Sequence, residues 1–272
     1  MLEPLRTIPA WALLSLVMNG LLFAAVLASL RQPDADSQRR LSQASASMPP
    51  MTGSGALVPQ LGDRQYLDYQ QWVNLLRQEA IAAQNLPRLT VLLGDSISLW
   101  FPPELLPGRR SWLNQGISGE WSAGLQQRLN LLDDAQVETV FVMIGINDLI
   151  GGEPEWQVVD NVEATIVYLQ AQHPGADIVV QPILPHGGER ATWEGRDRLL
   201  DLPIGRIQAV NESLQTVARR HGVLYLDLYP LFADGEGYLR PDLTTDGLHL
   251  NAQGYWVWRT AIALILNTEL EP

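Results

Sequence analysis

From about residue 87 onward the chain alternates short apolar runs with stretches of helical period, and this alternation limits the fold more than any other feature. The runs lie at 89–93, 112–117, 139–146, 178–184 and 223–228. Each has the length and the apolar, β-branched content of a strand. Helical stretches separate or follow them at about 120–132, 155–173, 204–220 and 252–267. Ahead of the first run, Tyr66, Tyr69, Trp72, Val73, Leu76, Ala80 and Ala83 recur at helical spacing, with Asp63 as the expected N-cap. Strands joined through helices require crossovers, and crossovers make a parallel sheet covered on both faces. The expectation is an α/β fold with a five-stranded parallel sheet. Its ligand crevice should lie beyond the carboxyl ends of the strands.

The first 62 residues read differently. Residues 8–30 form a nearly unbroken apolar run, broken mainly by Ser15, Asn19 and Ser29. A helix needs about 20 such residues to span a bilayer core. Two readings stand, a membrane anchor and a cleaved signal peptide with small residues near Val26-Leu27-Ala28. Arg6 precedes the run, and Arg31, Arg39 and Arg40 come after it. Charge alone places the C-terminal part of the chain on the cytoplasmic side; the signal-like character places it on the exported side, which is the expectation taken here. Residues 32–62 are rich in Ser, Pro, Ala, Gln and Gly and read as a flexible linker. The expected partition is 1–31 anchor or signal, 32–62 linker and 63–272 folded domain, with its core at about 87–266.

Composition removes several kinds of chemistry. The formal net charge of -12 repels a phosphate backbone, so no nucleic-acid partner is expected. All 18 basic residues are Arg, which leaves no Lys for a Schiff base or a P-loop. There is no Cys for a thiolate nucleophile or a thiolate metal site. The four His (His173, His186, His221, His249) make no His-Glu-x-x-His pattern, so no metal is expected.

Four short motifs fall where the crevice should be. Gly94-Asp95-Ser96 leaves the first run in a tight turn that can present a Ser hydroxyl; taken alone it reads first as a turn with a helix cap. Asn114-Gln115-Gly116-Ile117-Ser118-Gly119 comes after the second run, with glycines that let backbone approach a ligand. Gly145-Ile146-Asn147-Asp148 comes after the third, where an Asn amide is a neutral donor and Asp148 has a structural role as turn or cap. Asp246-Gly247-Leu248-His249-Leu250-Asn251 precedes the last helix. Asp and His three apart in a turn can share a hydrogen bond that fixes the imidazole tautomer. The open alternative is a surface turn capped by Asn251.

These blocks together resemble the SGNH hydrolases, the GDSL esterase/lipase family, over roughly 87–266. Ile97 replaces the Leu of the family name, and Phe101-Pro102-Pro103 leaves the length of the helix after Ser96 open. The Gly-x-Ser-x-Gly elbow of the α/β-hydrolases is absent. The resemblance implies a flavodoxin-like three-layer fold and no cofactor. It makes Ser96 the nucleophile, His249 the base and Asp246 its partner. It makes the Ser96 and Gly116 N–H groups and the Asn147 amide oxyanion donors. Among its members the acetylhydrolase-like ones look nearest, so a short-chain, O-acetyl ester on a small molecule or glycan is the expected substrate. An acyltransferase on cell-envelope glycans and a catalytically silent binding module remain alternatives. The insert at 184–203, with His186, Arg190, Trp193, Arg196 and Arg198, is expected as a lip of the crevice or as a solvated loop. The oligomeric state is left open.

Overall fold

Five parallel strands in the order β2-β1-β3-β4-β5 form one sheet. They are β1 (Leu89–Gly94), β2 (Ser111–Gly116), β3 (Val137–Met143), β4 (Asp177–Val180) and β5 (Leu224–Tyr225). The structure, a computed structural model, describes residues 67–270. The expected anchor, the linker and the Asp63 cap lie outside the described residues. Among the described residues no helix is long and apolar enough to cross a membrane.

In chain order the helices are α1 (Tyr69–Ala83), α2 (Ser96–Leu99), α3 (Ser122–Gln127), α4 (Ile146–Ile150), α5 (Glu155–Gln172), α6 (Arg196–Leu200), α7 (Ile204–His221), α8 (Tyr229–Phe232) and α9 (Ala252–Ile265). The strand order, with its reversal between β1 and β3, is that of the flavodoxin-like sheet, and it opens a crevice at the carboxyl ends there. Alternate strand residues divide between two cores. Val91, Leu93, Val140, Val142, Ile178 and Val180 pack with α5 and α7. Leu92, Phe141, Met143 and Val179 pack with Tyr255, Trp258 and Ile262 of α9. Three layers result. Trp258 is fully buried, and its indole N–H donates to Gln181 Oε1 at 2.6 Å, so the large ring carries no unpaired donor.

The α1 helix begins three residues later than its period suggests. Asp68 is the N-cap, in a capping box: its carboxylate accepts from Gln71 N, and Gln71 Oε1 accepts from Asp68 N. Trp72 and Leu76 then pack on Leu99 and Ile117, which sets α1 behind the exits of β1 and β2.

Three strands are shorter than their apolar runs. Beyond β3, Ile144 and Ile146 stay buried in the turn, so the run records burial and not pairing. Beyond β4, both polar groups of Ile183 bond to the Asn211 side chain of α7, at 2.8 and 2.9 Å, in place of a strand neighbour. The 120–132 stretch forms α3 and then a separate 3-10 turn, Leu129–Leu132. The break is at Arg128 (φ -118°, ψ 7°), whose side chain turns inward to Glu120.

Candidate active site

Ser96 opens α2, a one-turn helix at the carboxyl end of β1. Asp95 caps that turn by accepting the Ile97 N–H at 2.9 Å. The Ser96 N–H then lies in the first turn, where helix geometry supplies no backbone acceptor. The turn stops before Pro102-Pro103, since a residue preceding Pro avoids the α region. Asn114 holds the other end of the turn, donating from Nδ2 to Ser98 O at 2.6 Å and Leu99 O at 3.3 Å.

His249 comes to Ser96 from the loop before α9. Its Nε2 is 3.1 Å from Ser96 Oγ. Its Nδ1 is 2.8 Å from Asp246 Oδ2. The other carboxylate oxygen, Asp246 Oδ1, accepts the backbone N–H groups of Leu248 and His249 at 2.9 and 2.8 Å. Hydroxyl, imidazole and carboxylate thus form one hydrogen-bonded row. With Nδ1–H donated to Asp246, Nε2 is the lone-pair nitrogen facing the hydroxyl. Trp100 covers the imidazole with ring centroids 4.2 Å apart. Partial burial raises the Asp246 carboxyl, but the bonds from the His249 ring and from the His249 and Leu248 N–H groups outweigh it, and the net shift is downward.

The turn is itself tied down. The Thr244 hydroxyl donates to His249 O at 2.6 Å and accepts the Gly247 N–H at 2.8 Å. The insert after β4 supplies more. Thr192 N and Trp193 N donate to Asp246 O at 2.7 and 2.9 Å, and Gly187 N donates to Gly247 O at 2.7 Å. Gly247 has φ 88°, and a Cβ there would stand 2.6 Å from Ala191. The insert is therefore a strap across the back of the Asp246–His249 turn. Its arginines engage the chain itself: Arg190 pairs with Asp234, Arg196 donates to Glu189 O at 2.9 Å, and Arg198 lies over the Trp193 ring at 5.0 Å.

The expected oxyanion donors are placed less uniformly. Asn147, on α4, donates one amide hydrogen to Glu120 O at 3.0 Å and keeps a second. The Gly116 N–H is already donated to Asn114 Oδ1 at 3.0 Å. A Cβ on Gly116 would lie 2.4 Å from Leu99 N, so this glycine serves the packing of α2 on β2. Gly119 differs: φ is 74°, nothing lies within 4 Å of its Cβ position, and it precedes the Glu120 whose carbonyl meets Asn147. Asp148 takes up the structural role expected of it, on α3 and not on its own helix, by accepting the Ser122 N–H at 2.9 Å and the Ser122 hydroxyl.

Beneath the donors are buried acids that the motifs did not single out. Burial pushes the Asp95 carboxyl up to about 7; the Ile97 N–H opposes the rise, and Asp148 and Glu120 add to it. Burial also raises Glu120, against the pull of Arg128, whose Nε is 2.6 Å from Glu120 Oε2. Tyr69 OH of α1 donates to Glu120 Oε1 at 3.2 Å. Only the Arg and Glu types signal such a pair in sequence, and neither type fixes a partner. Among the described residues no group of His, Asp and Glu is placed to hold a metal ion.

Comparison with solved structures agrees with this layout. A Streptococcus pneumonia protein provisionally described as a platelet activating factor is 25% identical with a TM-score of 0.67, covering 78% of this chain and 100% of its own. A GDSL-like lipase from Bacteroides thetaiotaomicron is 20% identical with a TM-score of 0.62, covering 74% of this chain and 98% of its own. A lipase/acylhydrolase from Enterococcus faecalis is 20% identical with a TM-score of 0.54, covering 66% and 95%. The latter two likenesses are of fold. A search of the curated proteins finds no match. Residues 92–257 match the GDSL-like Lipase/Acylhydrolase family, and the match spans more than half of the sequence. The chain belongs to the GDSL-like lipase/acylhydrolase family, whose members hydrolyse ester bonds.

Proposed function

We propose that the chain is a serine esterase for short-chain carboxylic esters, O-acetyl esters foremost, working through an acyl-enzyme on Ser96. One observation carries the reading: the unbroken row from Ser96 Oγ to His249 (3.1 Å) to Asp246 (2.8 Å). His249 Nε2 takes the hydroxyl proton as Oγ attacks the ester carbonyl. Asp246 holds the imidazole in the tautomer that leaves Nε2 free, and it stabilises the imidazolium that forms. The developing oxyanion is met by the Ser96 N–H and by the second amide hydrogen of Asn147. The Gly119 N–H is the third donor in this reading, because the Gly116 N–H is already occupied. His249 then protonates the leaving alcohol. Water, deprotonated by His249, attacks the acyl-enzyme and releases the acid.

A short acyl group is in keeping with a nucleophile that is only 5% exposed and an imidazole covered by Trp100. The apolar run at 8–30 supports a tethered domain on the exported side, which protease protection of intact cells tests. For the chemistry, p-nitrophenyl esters of rising chain length are assayed beside Ser96→Ala, with fluorophosphonate labelling of both proteins. Hydrolysis that peaks at acetyl to butyryl and vanishes in Ser96→Ala supports the reading. Absence of both labelling and turnover in the unsubstituted protein overturns it. Acyl transfer to an added sugar hydroxyl, with no free acid released, would replace hydrolysis by transfer.

A further inference from the structure

His186 takes no part in the chemistry above, yet it is a buried, polar and fully paired side chain. It is 1% exposed. It lies just beyond β4, where the strap begins. The Gly188 N–H donates to its Nδ1 at 3.1 Å, so the ring proton is on Nε2. Nε2 is 2.8 Å from Leu202 O and donates to it. Leu202 ends the insert, next to the Pro203 that caps α7. The His186 carbonyl accepts the Leu239 N–H at 2.9 Å. One imidazole therefore ties the start of the strap to its end. Between these ties lie the three strap N–H groups, of Gly187, Thr192 and Trp193, that hold the carbonyls of Asp246 and Gly247. An apolar residue filling the same space would leave a buried N–H and a buried C=O unpaired.

We propose that His186 is a positioning residue: its neutral imidazole sets the strap, and the strap sets the Asp246–His249 pair against Ser96. The inference rests on the esterase reading of the site. Burial lowers the His186 ring below its ordinary value, in keeping with a neutral ring that accepts at one nitrogen and donates at the other.

Three variants divide the roles of the ring. His186→Asn places a carbonyl oxygen where Nδ1 accepts the Gly188 N–H. His186→Gln reaches toward Leu202 and leaves Gly188 without its acceptor. His186→Leu removes both bonds. A misplacement of about 1 Å at a catalytic group costs roughly 10²-fold in rate. The expected result is a fall in kcat of about 10- to 100-fold in the Leu variant with KM within about 2-fold, and recovery of most of kcat in the Asn variant. Rates are expressed per serine labelled by fluorophosphonate, which removes any unfolded fraction. Proton NMR gives a second readout: the strongly deshielded Nδ1–H signal of His249 should shift or broaden in the Leu and Gln variants and persist in the Asn variant. If the Leu variant does not fold, Asn against Gln decides, with Asn expected to be the faster. Equal kcat per labelled serine in the variants and the unsubstituted protein overturns the proposal. So does an Asn variant no better than Gln, with an unchanged NMR signal in both. An unsubstituted protein that hydrolyses no ester and takes no label sinks the esterase reading instead, and the NMR comparison still judges His186.

Discussion

Asp246 grips His249 twice: one carboxylate oxygen accepts the His249 backbone N–H at 2.8 Å, and the other accepts the ring Nδ1–H, also at 2.8 Å. The carboxylate thus sets the ring and the peptide that carries it as one unit. Asp246→Asn can keep the backbone bond while turning an amide N–H toward Nδ1, which favours the wrong tautomer. The expected loss in kcat is roughly 10³- to 10⁴-fold with the fold intact. Steady-state kinetics with circular dichroism on the same sample checks it; a loss below about 10-fold would leave Asp246 a mere turn former.

Asn147 gives a second measurable consequence. One amide hydrogen is spent on Glu120 O, and the other is available to an oxyanion. Asn147→Ala should lower kcat by about 10²–10³ while KM changes little. Part of that loss comes through the Glu120 carbonyl it releases. Asn147→Asp, which lacks the donor altogether, should be at least as slow. Unchanged kcat in either variant removes Asn147 from the donor set.

Asp95 predicts an inverted pH dependence of stability. Its carboxyl is raised from 3.8 to about 7 by burial in the folded chain. The unfolded chain loses this proton near 3.8, so folding takes a proton up between the two values. The contribution of Asp95 is fully present below pH 3.8, declines as pH rises and levels off above about 7. Asp95→Asn, which can still cap Ile97 through its carbonyl oxygen, should therefore gain on the unsubstituted protein at about pH 8 more than at about pH 5. Thermal melts at both values decide it. A gain that is constant with pH would show that Asp95 is not taking up a proton on folding.

The buried Glu120–Arg128 pair makes the strongest stability prediction. Both side chains are almost wholly buried, at 1% and 3% exposure. Removing one partner from such a pair costs about 3–5 kcal/mol, because the other charge stays behind without compensation. Arg128→Met should lower the unfolding free energy in urea by that amount. Adding Glu120→Gln to it should recover part of the loss, and absence of any recovery would place the cost in packing instead.

The sheet was legible from local pattern and the imidazole–carboxylate pair from a single turn, while Ser96, 153 positions from His249, joined them only through the resemblance that the four motifs carry. Strand runs are short and β-branched, and Asp246 and His249 lie three apart in one turn. What stayed hidden depends on partners that residue type alone does not name, some near in the chain and some far. The Asn114 side-chain oxygen accepts the Gly116 N–H two residues on, a local bond that the glycine motif does not announce. The Asn211 side chain completes the backbone at Ile183, so the apolar run there has the look of a strand when it is only buried. The α1 cap falls to Asp68 because a Gln three residues on completes the box, a pairing that the apolar period alone does not weigh. The insert at 184–203 has the sequence of a lip carrying arginines; its backbone in fact braces the catalytic turn, and backbone bonds leave no mark on residue type.

The strap's mode of attachment has a practical side. Contacts made N–H to carbonyl are blind to the side chains that hang from them. Thr192 is exposed and Trp193 only half-buried, while the amides of both hold Asp246. The exposed Thr192 side chain can be exchanged while the amide beneath it, and with it the setting of Asp246, stays as it is.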